Sequence, residues 1–550
     1  MRKLLAIFLA GLMMFGLLAC GESDTTSAPE SQTTTTATTV TTGGDLGGET
    51  TTTAGRKPTT TAGETEKTTK PAFTIDTSNE KPVTSNISIN YNEMHSQSDA
   101  QADAMRNKVL NAKDEVKAST TGKTYYVSYK GSDSNDGTSP AKAWRTTKRV
   151  GEAVKQFKAG DVVLFERGGV YRGSMQYVSG MKVGAYGTGA KPQLYAGPCN
   201  IADAKYWEET KYENVWKLDV SGVDDIGNIV FDHGKVCAST TRMFKEFLIT
   251  ESKYKPQDFY YYHNVSQGYV YMYYSKGNPG EDFASIELCP KTTVVTLYVP
   301  SGKRVAKDVV IDNLCIRYSG AFGITGGHDT TNITITNCEI GYIGGSLQNA
   351  SVRYGNGIEL NGVVHGAEIR NNWIYQCYDA GYTHQCGGIE ENIHVDANLI
   401  EYCHYNIEFF LQSEGHMNNM VIENNILRFA GYGFGSKNRY GSGIEYGAHI
   451  SGSKSPTGHK GSIVRNNIFD TSLVQLVMIS HADGKDGPKF EGNTWIQWND
   501  TKSASVNLFN RLENPDTVPT RLAVTDLASL KAGVAKVDSN PKAVIFYEKK

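Results

Sequence analysis

Ile369-Arg370-Asn371-Asn372, Val395-Asp396-Ala397-Asn398 and Ile422-Glu423-Asn424-Asn425 decide how this chain is read. Each group sets a β-branched residue before a charged one and ends on Asn. A looser form, with Asn in the third place only, occurs earlier as Ile311-Asp312-Asn313-Leu314 and Ile335-Thr336-Asn337-Cys338. The form ending on Asn returns later as Val464-Arg465-Asn466-Asn467 and Phe490-Glu491-Gly492-Asn493. Successive groups lie 24, 34, 26, 27, 42 and 26 residues apart. A period of that size, with two enlarged members, is the mark of a β-solenoid in which two coils have grown loops. Asn has a reason to be there: it tolerates left-handed backbone, and stacked amides can bond along the solenoid axis.

Both enlarged coils contain nearly the same words. Arg353-Tyr354-Gly355-Asn356-Gly357-Ile358-Glu359 returns as Arg439-Tyr440-Gly441-Ser442-Gly443-Ile444-Glu445. These read as loops rising from the solenoid to bound a cleft. Counting ten residues past each Asn, with a further ten in the enlarged coils, gives an outward column of Glu359, Tyr382, Glu408, Glu445 and Val477. Alternation sends the residues flanking each Glu inward. With strands about 4.8 Å apart, Glu408 and Glu445 become neighbours and Glu359 stands two coils, about 10 Å, from Glu408. Carboxyl pairs at about 5–5.5 Å serve retaining glycosidases, and pairs at about 6.5–9.5 Å serve inverting ones. Neighbouring carboxylates also raise one another's pKa, which provides an acid beside a base. Asp379, His384 and His449 lie near the column and have protic chemistry. Tyr354 and Tyr440 can stack on sugar rings, while Arg353 and Arg439 can fork onto a carboxylate; these two Arg, with His384 and Tyr382, would serve a lyase. Cys377 and Cys403 each lie five residues past their Asn and should stack as small buried side chains.

Upstream, Arg2 and Lys3 precede an apolar run from Leu4 to Leu18, which is a secretory signal too short to span a bilayer. Leu17-Leu18-Ala19-Cys20 resembles the bacterial lipobox, which implies cleavage before Cys20 and a lipid anchor on its thiol. Residues 21–85 are rich in Thr, and such a composition predicts a disordered tether. A helix is expected over 98–118, covering the open end of the first coil within an N-terminal region of 97–198. Another is expected with Trp144, Val150, Val154 and Phe157 on one side. Between 199 and 303 the repeat lapses. There Trp216–Val220, Gly227–Phe231, Phe259–Tyr262 and Tyr269–Tyr274 read as strands of an inserted β-rich subdomain, sandwich-like in build. The main solenoid occupies 304–500 and a C-terminal cap 501–550, with a short helix capped by Thr525 and a closing strand over Ala543–Tyr547.

Thr124 to Ser128, the Asp133–Pro140 turn, Ala143-Trp144, and Gly160 to Phe165 running into Gly168-Gly169-Val170-Tyr171 resemble the entry of right-handed parallel β-helix proteins. Gly184-Ala185-Tyr186-Gly187 with Lys191-Pro192 adds to the likeness to that pectate-lyase-like superfamily. The resemblance implies a carbohydrate-active protein. Polysaccharide hydrolysis through paired Glu is the first expectation. A lyase acting on uronates, with calcium as its only implied cofactor, is the second, and a non-catalytic glycan-binding or structural surface protein the third. Asn-Thr-Asp and Arg-Ile-Lys, looked for in polygalacturonases, are absent. The net charge of −3 and the lack of a basic stripe argue against nucleic acid as partner. No His or Cys spacing forms a metal motif. The expected partner is a polysaccharide, and the only membrane link is the lipid anchor on a bacterial outer face.

Overall fold

The structure is a computed structural model. It describes residues 76–548 apart from 78–79, 90–93, 241–247, 249–254, 299–304, 327, 350–351, 386–387, 411–414, 439–446, 453–458, 481–487, 500–505 and 512–521. The signal, Cys20 and most of the tether lie outside the described residues, as do Arg439, Tyr440 and Glu445.

Three long sheets wind into a right-handed parallel β-helix. Sheet A runs from Thr124–Val127 through Asp329–Thr336 and Ile389–Asp396 to Lys489–Glu491. Sheet B runs from Val170–Arg172 through Trp373–Cys377 and Leu399–Glu401 to Ala543–Glu548. Sheet C runs from Met175–Tyr177 through Ile358–Asn361, Ala380–Gln385, Tyr405–Phe410 and Ala448–Gly452 to Leu522–Val524. Within sheet A, Ile311 pairs with Ile335, Ile335 with Ile369, Ile369 with Val395, Val395 with Ile422, Ile422 with Val464 and Val464 with Phe490. The spacing of the Asn groups is therefore the register of the coil.

The two properties that recommend Asn are divided between adjacent positions. The third residue of each group carries the left-handed turn: Asn313, Asn337, Asn371, Ala397, Asn424, Asn466 and Gly492 have φ of 61°, 56°, 53°, 54°, 57°, 56° and 66°. The fourth forms the ladder. Asn372 Nδ2 donates to Asn398 Oδ1 at 3.0 Å, Asn398 to Asn425 at 2.9 Å, Asn425 to Asn467 at 2.9 Å and Asn467 to Asn493 at 3.1 Å. Each Oδ1 also takes the backbone N–H of the preceding ladder residue, at 2.9 Å for Asn372, Asn398, Asn425 and Asn467. Buried amides thus meet their hydrogen-bonding needs by repetition. Asn493 Nδ2 ends the run on Asp538 Oδ2 at 3.0 Å.

Helix Asp99–Leu110 does not cover the end of the coil. It lies along the flank of sheet B: Arg106 reaches Glu401 at 2.9 Å and stacks 5.0 Å over Trp373, and Arg428 holds Asp99 at 2.6 Å. Ala102 and Val109 bury against Trp373, Leu399 and Ile426 of sheet B, and the charged Glu401 and Arg428 of the same face add ion pairs to that apolar contact. The first coil is covered instead by the segment after Trp144. Tyr125 stacks on Trp144 at 4.9 Å, and helix Thr147–Ala153 buries Val150 over the core; Trp144 and Phe157 flank that helix and are not part of it.

The insertion consists of a three-stranded antiparallel sheet and a five-stranded mixed one around a shared core of Ile229, Phe231, Tyr261, Met272 and Leu288. It gives way to the solenoid earlier than 303, because Val295–Leu297 already pairs with Met175–Tyr177 in sheet C. At the C-terminus Asp526, not Thr525, caps helix Leu527–Val534, since its carboxylate takes the Ser529 N–H at 2.7 Å. Ala543–Glu548 extends sheet B as expected. The seven described cysteines after Cys20 are free thiols, and Cys377 and Cys403 are buried; Cys386 lies outside the described residues.

Candidate functional site

The outward face of sheet C carries the carboxylates. Strand pairing aligns Thr325, Glu359, Thr383, Glu408 and Ser451 in one column. Thr383, not Tyr382, stands between the two Glu. Tyr382 pairs with Ile358 and Ile407 and is buried in the core, as is Val477, which pairs with Ile450. The ten-residue count fails at the turn from sheet B to sheet C. Ile374 pairs with Ile400, an offset of 26, whereas Tyr382 pairs with Ile407, an offset of 25. The later coil makes that turn with one residue fewer, and a shift of one residue exchanges faces. The strand neighbour of Glu408 in the next coil is Ser451, so the expected Glu408–Glu445 pairing across adjacent strands does not form.

Glu359 occupies a closed amide frame. Asn356 Nδ2 donates to Oε2 at 2.7 Å and Asn361 Nδ2 to Oε1 at 2.5 Å. Asn356 Oδ1 accepts the Ala380 N–H at 2.7 Å, which fixes the amide so that its nitrogen faces the carboxylate. Burial pushes Glu359 up to about 7, and the Asp379 charge adds to the rise against the pull of the two amides. Asp379 is half-buried at the entry to the neighbouring strand, where its N–H bonds Gly355 O at 3.0 Å. Glu408 is gripped differently: Gln385 Nε2 donates to its Oε2 at 3.0 Å and Thr383 Oγ1 approaches at 3.4 Å. Two strand spacings, about 10 Å, separate the Glu359 and Glu408 backbones.

Tyr354 stands near Glu359 and meets Phe322 edge-to-face at 5.0 Å; burial, with Glu359 next, raises its phenol above the usual range. Arg353 is turned away. Its guanidinium bonds Asp225 at 3.1 Å and the Gly345 carbonyl, which ties the first echo loop to the insertion.

His384 and His449 are buried, contrary to expectation. His384 pairs with Leu360 and Phe409 on the inward side, with Nδ1 2.5 Å from Glu390 and Nε2 against the Tyr382 hydroxyl. Among these groups burial raises Glu390 above its ordinary value, against the pull of His384. His449 packs on Phe469 and accepts from Asn406 at 3.0 Å, and burial lowers it to about 3. It is neutral at any ordinary pH.

Asn361, Thr383 and Gln385, ordinary polar strand residues with no motif, are not legible in the sequence, and Asn356 is legible there only as a member of the echoed loop. Among the described residues, His394, Asp396 and Glu423 on sheet A bring donor atoms within 4.8 Å of one another. Arg465 holds Glu423 at 2.7 Å and Asn424 holds Asp396 at 2.8 Å. That trio lies on another face of the solenoid.

No family model matches the chain, and no curated protein matches it. Solved structures do. The complex of XylC with xylose shares 11% identity over 77% of this chain and 82% of that one, with a TM-score of 0.40. The GH136 lacto-N-biosidase from Eubacterium ramulus shares 12% over 78% and 67%, at 0.33. The family 28 exopolygalacturonase of Yersinia enterocolitica shares 13% over 70% and 68%, at 0.34. Likeness at this level carries no assignment of activity, and the strand pairings alone establish the coil.

Proposed function

We propose that this chain is a carbohydrate-active enzyme that hydrolyses a polysaccharide, with Glu359 as proton donor and Glu408 as the ionised partner that activates water. The observation that carries the reading is Glu359: a carboxyl raised to about 7 in an amide frame, on the same outward sheet face as a second carboxylate held by donors. Separating a protonated acid from an ionised base by environment is how paired carboxylates divide glycosidic work. A backbone separation of about 10 Å suits the inverting arrangement, which leaves room for water between the groups. The test is reducing-end release from a panel of polysaccharides by the wild type, Glu359→Gln and Glu408→Gln, with the anomer of the first product read by NMR. Loss of release in both variants and inverted product support the reading; undiminished release in either overturns it.

A lyase would need a cation for the uronate carboxylate, and Arg353 is committed to Asp225. Absorbance of an unsaturated product, dependent on calcium, would favour that alternative. Retention of glycan without turnover would favour a binding or structural protein. The lipid anchor at Cys20 and residence on the outer face of a bacterial membrane belong to the same proposal: labelled palmitate should enter the wild type and not Cys20→Ala.

A further inference from the structure

The run Tyr260-Tyr261-Tyr262 and Tyr269-Val270-Tyr271-Met272-Tyr273 is strand sequence that the proposed chemistry leaves unused. Its strands lie in the five-stranded sheet of the insertion, and alternation divides them cleanly. Tyr261, Val270 and Met272 point into the subdomain core and are fully buried. Tyr260, Tyr262, Tyr269, Tyr271 and Tyr273 are half-exposed on the opposite face. Register forms them into rows. Tyr262 pairs with Tyr271, Tyr271 with Lys217 and Lys217 with Glu208; beside them Asn264 pairs with Tyr269 and Tyr269 with Asp219. The Lys217 ammonium sits 4.9 Å over the Tyr269 ring and bonds Glu208 at 2.8 Å, and the Tyr269 and Tyr271 rings lie 6.2 Å apart.

We propose that this tyrosine face is a second glycan-binding site, separate from the sheet C carboxylates, which holds a polysaccharide chain across the strands. The inference rests on the glycan reading above and adds where the bulk of the polymer is held. Ring faces supply rigid apolar contact at small entropic cost, while phenol hydroxyls and the adjoining Lys, Asn, Asp and Glu supply hydrogen bonds. That mixture fits a ligand whose sugar rings offer apolar faces and whose edges are all hydroxyl; a protein partner would call for a contiguous apolar patch. Successive strands, about 4.8 Å apart, set the rings at a spacing on the order of one pyranose unit. The sheet is also in the right place. Its edge strand Ser239–Thr240 lies against the short helix Phe434–Asn438, whose Phe434 packs on Tyr378 at 6.0 Å, next to Asp379.

The test uses the full chain carrying Glu359→Gln, so that turnover does not consume the probe. Its migration is measured in gels cast with xylan, polygalacturonate, galactomannan or hydroxyethyl cellulose. At least one should retard it. Adding Tyr262→Ala and Tyr271→Ala should weaken that retardation about tenfold, the effect of losing ~1.4 kcal/mol of stacking. Adding Tyr262→Phe and Tyr271→Phe, which keep the rings, should leave it within about twofold. Circular dichroism and the unfolding midpoint check that the Ala variant is folded; if it is not, Lys217→Ala with Tyr269→Ala takes its place with the same expectation. Undiminished retardation in a folded Ala variant, or no retardation on any of the four, overturns the proposal. Reducing-end release by the wild type on the same polymers reports separately on the hydrolytic reading, so the two can fail independently.

Discussion

Two polar constellations lie within one residue of each other along sheet C and face opposite ways. Outward, Glu359 and Glu408 are held by the amides of Asn356, Asn361 and Gln385. Inward, Tyr382, His384 and Glu390 form a closed relay with no exposed surface. By residue type the inner group has more catalytic character, with a His between a carboxylate and a phenol. It has no access to a substrate. The outer group, acids and amides alone, faces the solvent side of the sheet with Glu359 and Glu408 each 6% exposed, and it holds a carboxyl raised to about 7. Alternation, not residue chemistry, decides which set faces outward.

The sharpest way to break this contrast is to exchange the consequences. Glu359→Gln should cost about 10²–10⁴-fold in kcat and about 1–2 kcal/mol of stability, since its amide nitrogen must face one of the two Asn donors, measured by reducing-end release and urea unfolding. Glu390→Ala should act on stability alone: about 3 kcal/mol lost, because His384 Nδ1 is left buried without its partner, with turnover per folded molecule retained. A Glu390 variant that is stable but inactive would give the inner relay a part in the chemistry.

The ladder offers an intermediate effect. Asn398→Ala removes a buried amide that serves Asn372, Asn425 and the Ile369 carbonyl, and should lower stability by about 2–3 kcal/mol in denaturant titration.

pH sharpens the contrast further. Glu359 binds its proton more tightly in the folded protein than in the unfolded one. Its contribution therefore favours folding at low pH and is lost as pH climbs from about 4.5 to about 7, and turnover should fall above the same upper limit. A rate that rises steadily through pH 7 would remove Glu359 from the donor role.

The smallest effect is a gain. Ala397 holds φ of 54° where its counterparts are mostly Asn. Ala397→Gly should raise stability by about 1 kcal/mol, read as a higher unfolding midpoint.

The coil is legible because its cause is periodic: every group from Ile311 to Asn493 repeats the same turn, those from Asn372 onward repeat the same amide bond, and spacing alone gives the register. The carboxylate column was legible only in part. Glu359 and Glu408 share a face as expected, but a B-to-C turn one residue shorter in one coil moved Tyr382 and His384 inside, and no residue type announces that. The second echo, Arg439 to Glu445, lies outside the described residues, and the strand position it was expected to fill belongs to Ser451. The N-terminal helix was legible as a helix but not in its place, since the ion pairs of Arg106 and Asp99 with sheet B join residues some three hundred positions apart.

The amide stack has a direction. Each side chain gives one hydrogen to its C-terminal neighbour and the other to a backbone carbonyl of the preceding coil, and Asp538, a carboxylate with none to pass on, is a natural full stop. Every link between head and stop has the same shape on both sides, so the coil behaves as a set of interchangeable segments. Excising residues 373–398 whole would present Asn372 to Asn425 in the posture it now shows Asn398, and evolution could lengthen or shorten such a protein by whole turns without redesigning the joint.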